Sequence, residues 1–135
     1  MDGTAGTASA IAAGASHSCA IQAGTGAVIC WGFNSYGQAT PPASVNGTAG
    51  TASAIAAGWR HSCAIQATTG AVVCWGDNTY RGQATPPTSV NGTAGTASAI
   101  AAGTYHSCAI QAGTGTAVCW GDKGSGSLGE SSPPA

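Results

Sequence analysis

Six cysteines and three histidines carry most of the chemistry open to this 135-residue chain. They fall in one pattern that occurs three times: HSCAIQAGTGAVICWG at 17–32, HSCAIQATTGAVVCWG at 61–76 and HSCAIQAGTGTAVCWG at 106–121. His17, His61 and His106 each stand two before a cysteine, and a second cysteine follows eleven positions after the first. Thiol and imidazole together allow a disulfide, a zinc site, or a nucleophile with its base. Zinc fits poorly. The cysteine spacing misses the short CxxC of such sites, and each histidine holds the same place in its own repeat, which spreads the three apart. Nucleophilic catalysis needs an orienting acid as well. The chain has only Asp2, Asp77, Asp122 and Glu130, none recurring in all three repeats, and no nucleophile elbow. The GTGT-type runs lack the GK[ST] of a phosphate-cradling loop. No catalytic residue, no metal and no cofactor is expected, and the chain reads as a non-enzyme.

The disulfide reading fits the spacing. A small-residue turn lies midway between the cysteines of each pair. Two strands folded back over it bring Cys19 beside Cys30, Cys63 beside Cys74 and Cys108 beside Cys119. Opposed, non-hydrogen-bonded residues of an antiparallel pair have Cα atoms ~4.5–5.5 Å apart, within disulfide reach. The competing reading, six buried free thiols, gives thiols no reason to recur in hairpin register. Each bridge closes a short loop and stabilises by roughly 3 kcal/mol in the chain-entropy model. That matters in a chain rich in Ala, Gly, Ser and Thr with one Phe and one Met, whose cores must be thin. Cysteines used in this way point to an oxidising, extracellular compartment. The expectation of secretion rests on them alone, since the first residues show no basic-then-apolar leader pattern.

Charge excludes two further classes. Three basic and four acidic residues give a formal net charge of −1. Nucleic-acid binding requires clustered Lys and Arg, and so does an anionic-membrane patch. No apolar run approaches the ~18 residues of a membrane-spanning helix, so neither nucleic acid nor membrane insertion is expected.

The elements that position these residues follow from self-comparison. Segments 2–45, 46–90 and 91–135 align throughout as three repeats of one domain. A period of about 45 lies in the propeller-blade range. Helices are excluded by glycines every few residues and by Pro pairs at 41–42, 86–87 and 133–134. Each repeat divides into four strand candidates, in the first repeat at 8–13, 17–22, 27–31 and a brief piece at Gln38-Ala39-Thr40 stopped by Pro41-Pro42. The turn at 23–26 reads as a four-residue loop with Gly26, Gly70 and Gly115 in the left-handed region, because Thr68-Thr69 in the second repeat argues against a two-residue glycine turn.

Four short antiparallel strands per repeat predict an all-β chain of three four-stranded propeller blades, each with one disulfide. The words AIAAG, HSCAI, AVxCWGxNxYGQ and the trailing PP, in that order, resemble the repeat of the regulator of chromosome condensation family. They look most like its secreted bacterial members, the propeller-fold β-lactamase inhibitory proteins among them. The resemblance weakens after Asp122, where KGSGSLG replaces the NxYGQ pattern. It implies a propeller fold, a non-enzymatic role, an internal hydrogen-bonding histidine, and binding through loops. It does not imply guanine-nucleotide exchange, which uses structures beyond the bare repeat.

Three blades should not close. An open arc exposes an apolar blade face at each end, so copies are expected to associate head to tail, into a ring if the rotation closes and a filament if it does not. Two chains would give a six-bladed ring.

The up-and-down order also fixes which loops share a side. Those after the first and third strands lie together and are where the repeats differ: Ala15-Ser16, Trp59-Arg60 and Thr104-Tyr105, then Phe33 to Tyr36, Asp77 to Arg81 and Asp122 to Ser127. Varied loops on a rigid frame are where binding resides, and Trp, Tyr and Arg are its usual anchors. The candidate binding residues are Trp59, Arg60, Thr104, Tyr105, Phe33, Tyr36, Asp77, Tyr80 and Arg81. Loop drift explains the same variation without binding. Trp31, Trp75 and Trp120 are repeat-equivalent and read as blade packing, whereas Trp59 replaces Ala15 and Thr104 and is the best single contact candidate. Asn46 and Asn91 match the glycosylation pattern, though Asn-Gly also simply makes a turn. The functional expectation is an extracellular scaffold that assembles with itself. A module binding or inhibiting another extracellular protein is the alternative, a glycan-binding lectin a lesser one, and an ice-binding solenoid is disfavoured by its irregular threonines.

Overall fold

The computed structural model describes residues 6–79, 81–122 and 132–134. Nine strands form three separate sheets: β1 (Ala8–Ala13), β2 (His17–Gln22) and β3 (Val28–Gly32); β4 (Ala52–Ala57), β5 (His61–Gln66) and β6 (Val72–Gly76); β7 (Ala97–Ala102), β8 (His106–Gln111) and β9 (Ala117–Gly121). Each sheet is an antiparallel meander with its second strand central. No helix of the described residues is long and apolar enough to cross a membrane.

The hairpin that carries each disulfide is set by its turn. Gly26 N–H donates to Gln22 C=O and Thr25 Oγ1 to Gln22 Oε1, at 2.9 and 3.0 Å. Gly26, Gly70 and Gly115 take φ of 77°, 75° and 74°, the region open to glycine at least cost. Gly24 is also left-handed, but its equivalent Thr68 is not, so only the last turn position requires glycine. Gln22 N–H bonds Ala27 C=O and Phe33 N–H bonds Ser16 C=O. Bonded pairs therefore fall on even positions of β2, and Cys19, opposite Cys30, sits at a close non-bonded pair. All three expected bridges form, with Cα atoms 4.1 Å apart in each.

The sheets have three strands, where four were expected. Residues 38–40 form a turn because the N–H groups of Ala39 and Thr40 are taken locally. Asn34 Oδ1 accepts from Ala39 N–H at 2.8 Å, Asn34 Nδ2 donates to Thr40 Oγ1 at 2.9 Å, and Thr40 N–H bonds Gly37 C=O at 3.0 Å. Asn78 holds Ala84 and Thr85 in the same way. With Pro41-Pro42 next, no run of free N–H groups is left to extend the ladder. The edge of β3 receives a single outside bond, from Val28 N–H to Val45 C=O at 2.9 Å. The corresponding part of the third repeat lies outside the described residues.

The core lies between sheets, not within them. Cys19, Ile21, Val28 and Val45 of the first repeat pack on Ala52, Ala64 and Trp75 of the second. Cys63, Ile65, Val72 and Val90 pack in the same way on Ala97, Ala109 and Trp120. Each repeat thus needs a neighbour on both sides. Among the described residues the first sheet is packed on one face only, and so is the third. Trp75 and Trp120 are 8% and 5% exposed, whereas Trp31 is 45% exposed, so packing buries only two of the three equivalent tryptophans. Ile11, Ile29 and Trp31 on the outward face of the first sheet and Ile110 on that of the third are likewise exposed.

Candidate functional site

The loops after β1, β4 and β7 and those after β3 and β6 meet on one side of the array. Each first loop begins at a glycine crowded by the following histidine and, in the first two repeats, by a backbone carbonyl of the next. A Cβ on Gly14 would meet the Gly58 carbonyl of the next repeat and fall 2.9 Å from His17 Cε1, and one on Gly58 would meet His61 and the Gly103 carbonyl. The histidine ring is fixed in turn by the next repeat. His17 Nε2 lies 2.7 Å from Ser62 Oγ, and Ser62 Oγ donates to Gln38 C=O at 3.0 Å. Trp75 Nε1 donates to that same carbonyl at 3.0 Å. His61, Ser107, Gln83 and Trp120 repeat the arrangement.

A histidine bonded to a serine is also the start of a catalytic dyad. Here the serine proton goes to a backbone carbonyl, the other ring nitrogen has no partner, and Ser62 is fully buried. The arrangement holds blades together. Burial pushes the pKa of both His17 and His61 down, His61 to about 4, so both rings are neutral. Among the described residues no group of His, Cys, Asp or Glu could hold a metal.

On this frame the varied side chains form one continuous cluster. The Arg60 guanidinium lies 3.8 Å over the Trp59 ring and 4.5 Å from the Tyr36 ring of the preceding repeat. Trp59 meets Tyr105 of the following repeat edge-on, with centroids 5.1 Å apart. Arg81 lies over the Tyr105 ring at 4.8 Å and donates to Asp122 Oδ1 at 2.6 Å. Phe33 leans on Tyr36 at 6.3 Å. Asp77 stands 3.9 Å from Arg60 and caps its own loop by accepting from Thr79 N–H. Two arginines face two aspartates, so the patch is aromatic and nearly neutral overall.

Among the described residues, three hollows border it. One of about 220 Å³ lies among Ser16, Phe33, Tyr36, Trp59 and Arg60. A second, of about 200 Å³, lies among Trp59, Arg60, Asp77, Arg81, Gln83 and Tyr105. A wider groove of about 470 Å³ runs over Gly14, Gly58 and Gly103 with Trp59, Thr104 and Tyr105 beside it.

Of the candidates read from sequence, Phe33, Tyr36, Trp59, Arg60, Asp77, Arg81 and Tyr105 come together, and Thr104 borders the groove. Tyr80 lies outside the described residues. Ser16 and the Asp122 partner of Arg81 belong to the same patch and were legible only as loop residues. Gln38 and Gln83 were missed as interface residues; the signal was a GQ pair at matching places in two repeats. Asn46 and Asn91 are half-buried. Each donates its amide to a proline carbonyl, of Pro41 and Pro86, and accepts from a backbone N–H two residues on. Their side chains shape the connector turns.

Residues 8–38 and 52–83 match the family model of the regulator of chromosome condensation (RCC1) repeat. The chain is built from RCC1-type β-propeller repeats. Comparison with curated protein sequences gives no match. Among solved structures it is similar to the ectodomain of the Physcomitrella patens receptor kinase CR4, at 30% identity and TM-score 0.69, over 89% of this chain and 31% of that one. The CRINKLY ectodomain of the Arabidopsis thaliana receptor kinase ACR4 gives 30% identity and TM-score 0.61, over 86% and 37%. Prp20p of Saccharomyces cerevisiae gives 24% and 0.64, over 84% and 33%, a likeness of fold alone. The chain thus spans about a third of each of these proteins. Three disulfides and two receptor ectodomains among the similar structures are consistent with an extracellular protein.

Proposed function

We propose that the chain is a secreted, non-enzymatic scaffold protein whose blades continue from one copy to the next, head to tail, as a ring or a filament. One observation carries this reading. The side chains that build both internal cores recur, uncovered, at the two ends of the array: Ile11 and Trp31 at one, Ile110 at the other, 69%, 45% and 43% exposed. Apolar area leaves water at about 25 cal/mol per Å², and the chain already carries surfaces that cover each other inside it. Light scattering behind size exclusion, over a hundredfold range of concentration, should show mass rising in steps of one chain. A single species at the monomer mass throughout would end this reading.

A second reading has its own observation. The Trp59, Arg60, Tyr36 and Tyr105 cluster has the composition of a protein-recognition hot spot and spans all three blades. In this reading it docks another extracellular protein. Trp59→Ala should abolish binding to a partner isolated on the immobilised wild-type chain while leaving self-association intact. Unchanged affinity would remove the patch from consideration.

A further inference from the structure

Resting on the self-association proposed above, we infer that copies join in the register of the internal interfaces, with the β1–β3 sheet of one copy on the β7–β9 sheet of another and Ile29 seated over Ala117. Cross-strand partners define the surfaces. On the leading face of the first sheet Ile11, Ala20 and Ile29 lie in one row, and Ala13, Ser18 and Trp31 in the next. On the trailing face of the third sheet the rows are Ala99, Ile110 and Ala117, then Ala101, Cys108 and Cys119.

Side-chain size distinguishes the ends from the interior. At each internal interface a valine of the trailing row shares the core with a valine of the leading row: Val28 with Val73, and Val72 with Val118. The two end positions alone depart from valine, and in opposite directions. The leading end carries the larger Ile29 and the trailing end the smaller Ala117. A shallow apolar hollow of about 160 Å³ lies there, over Ala99, Cys108, Ile110 and Ala117. The pair nearly conserves the volume of two valines, which packed cores tolerate best.

Hydrogen bonding is also directional. At the internal interfaces the leading face supplies most of the donors, Trp75 Nε1, Ser62 Oγ, Gln66 Nε2 and Ala52 N–H, the last to Gly26 C=O, against His17 Nε2 and Ala15 N–H from the trailing side. The leading end keeps the same set. Neither Ser18 Oγ nor Trp31 Nε1 has a partner among the described residues. At the trailing end His106 stands where His17 and His61 bind serine, and Gly115 C=O where Gly26 C=O accepts. Leading face against leading face would oppose donor to donor. The named rows hold no charged side chain, so no ion has to be stripped of water.

The test uses two end-blocked chains, Ile29→Glu and Ile110→Glu, both at exposed positions. Three intact disulfides by mass and an unchanged circular dichroism spectrum verify each fold. Each variant alone should be a monomer in native mass spectrometry, and an equimolar mixture should give a one-to-one dimer that does not grow. Ala117→Val should weaken wild-type association about tenfold, and adding Ile29→Val to the same chain should restore it. A mixture that stays monomeric while the wild type associates overturns the register and leaves self-association standing; so does Ile110→Glu pairing with itself. A wild-type chain that is monomeric at every concentration overturns both, and leaves these faces to some other cover.

Discussion

His17 Nε2 lies 2.7 Å from the hydroxyl of Ser62, 45 positions later in the chain. Ser62 has one proton, which goes to Gln38 C=O, so the histidine must donate from Nε2. The neutral ring then carries its lone pair on Nδ1, the nitrogen without a partner. One contact thus fixes a tautomer and couples the central strands of two blades. Ser62→Ala should cost about 1–3 kcal/mol, because a buried N–H loses its acceptor. Ser18→Ala removes the same atom at the open end, where it has no partner, and should stay within about 0.5 kcal/mol. Urea unfolding at concentrations too low for association separates the two. Equal costs would mean that the serine matters to its own strand and not to the interface.

The same neutral histidines make stability depend on pH. Burial lowers the pKa of His17 and His61 from the ordinary 6.5, that of His61 to about 4. The unfolded chain therefore binds more protons below pH 6.5, and stability falls with pH from there. It stops falling for His61 near pH 4, where both states are protonated. A shift of this size is roughly 3 kcal/mol for His61. Urea midpoints should be flat above pH 7 and drop steadily from pH 6.5 to 4. An unchanged midpoint between pH 7 and 5 would show that protons reach these rings in the folded state.

Gly58 is held to glycine by its neighbours and not by its φ. An added Cβ would meet the His61 ring and the backbone carbonyl of Gly103. The carbonyl is backbone of the adjacent blade, at the residue after β7, and cannot swing away as a side chain would. Gly58→Ala should destabilise by about 1–3 kcal/mol through overpacking. For Gly103→Ala the nearest atoms are all of its own histidine, His106, and it should cost less. Thermal unfolding of the pair measures the difference, and equal losses would place the whole cost at the histidine.

The hairpins were legible in the sequence because three local signals coincide in each: a cysteine pair, a small-residue turn between its members, and alternation on either side. The gathering of Trp59, Arg60, Tyr36 and Tyr105 was legible too, since an up-and-down sheet places alternate loops on one side. The fourth strand misled because Gln38-Ala39-Thr40 has a strand-like composition while Asn34, several residues earlier, takes the Ala39 N–H and the Thr40 hydroxyl. Gln38 itself acts largely through its carbonyl, which every residue possesses, so no residue type announced it. Trp31 and Trp75 sit in the same local sequence and differ only in having a neighbour, a property of array position that no local pattern encodes.

The disulfides share one geometry but not one environment. Cys19 and Cys63 are fully buried beneath the following blade and only their partners Cys30 and Cys74 are half-buried, while Cys108 and Cys119 are both half-buried at the open end. A thiolate must reach a disulfide sulfur in order to open it, so access sets the order of reduction in the folded chain. Under mild dithiothreitol Cys108–Cys119 should open first, and alkylation followed by digestion would locate it. Each bridge restrains a short loop and is worth about 3 kcal/mol in the chain-entropy model, so its loss should loosen the third blade before the others. If copies stack through that face, raising protein concentration should protect Cys108–Cys119 and leave the other two rates unchanged. Reduction in which all three open together at every concentration would show that global unfolding exposes them, and that the end blade is no more accessible than the middle one.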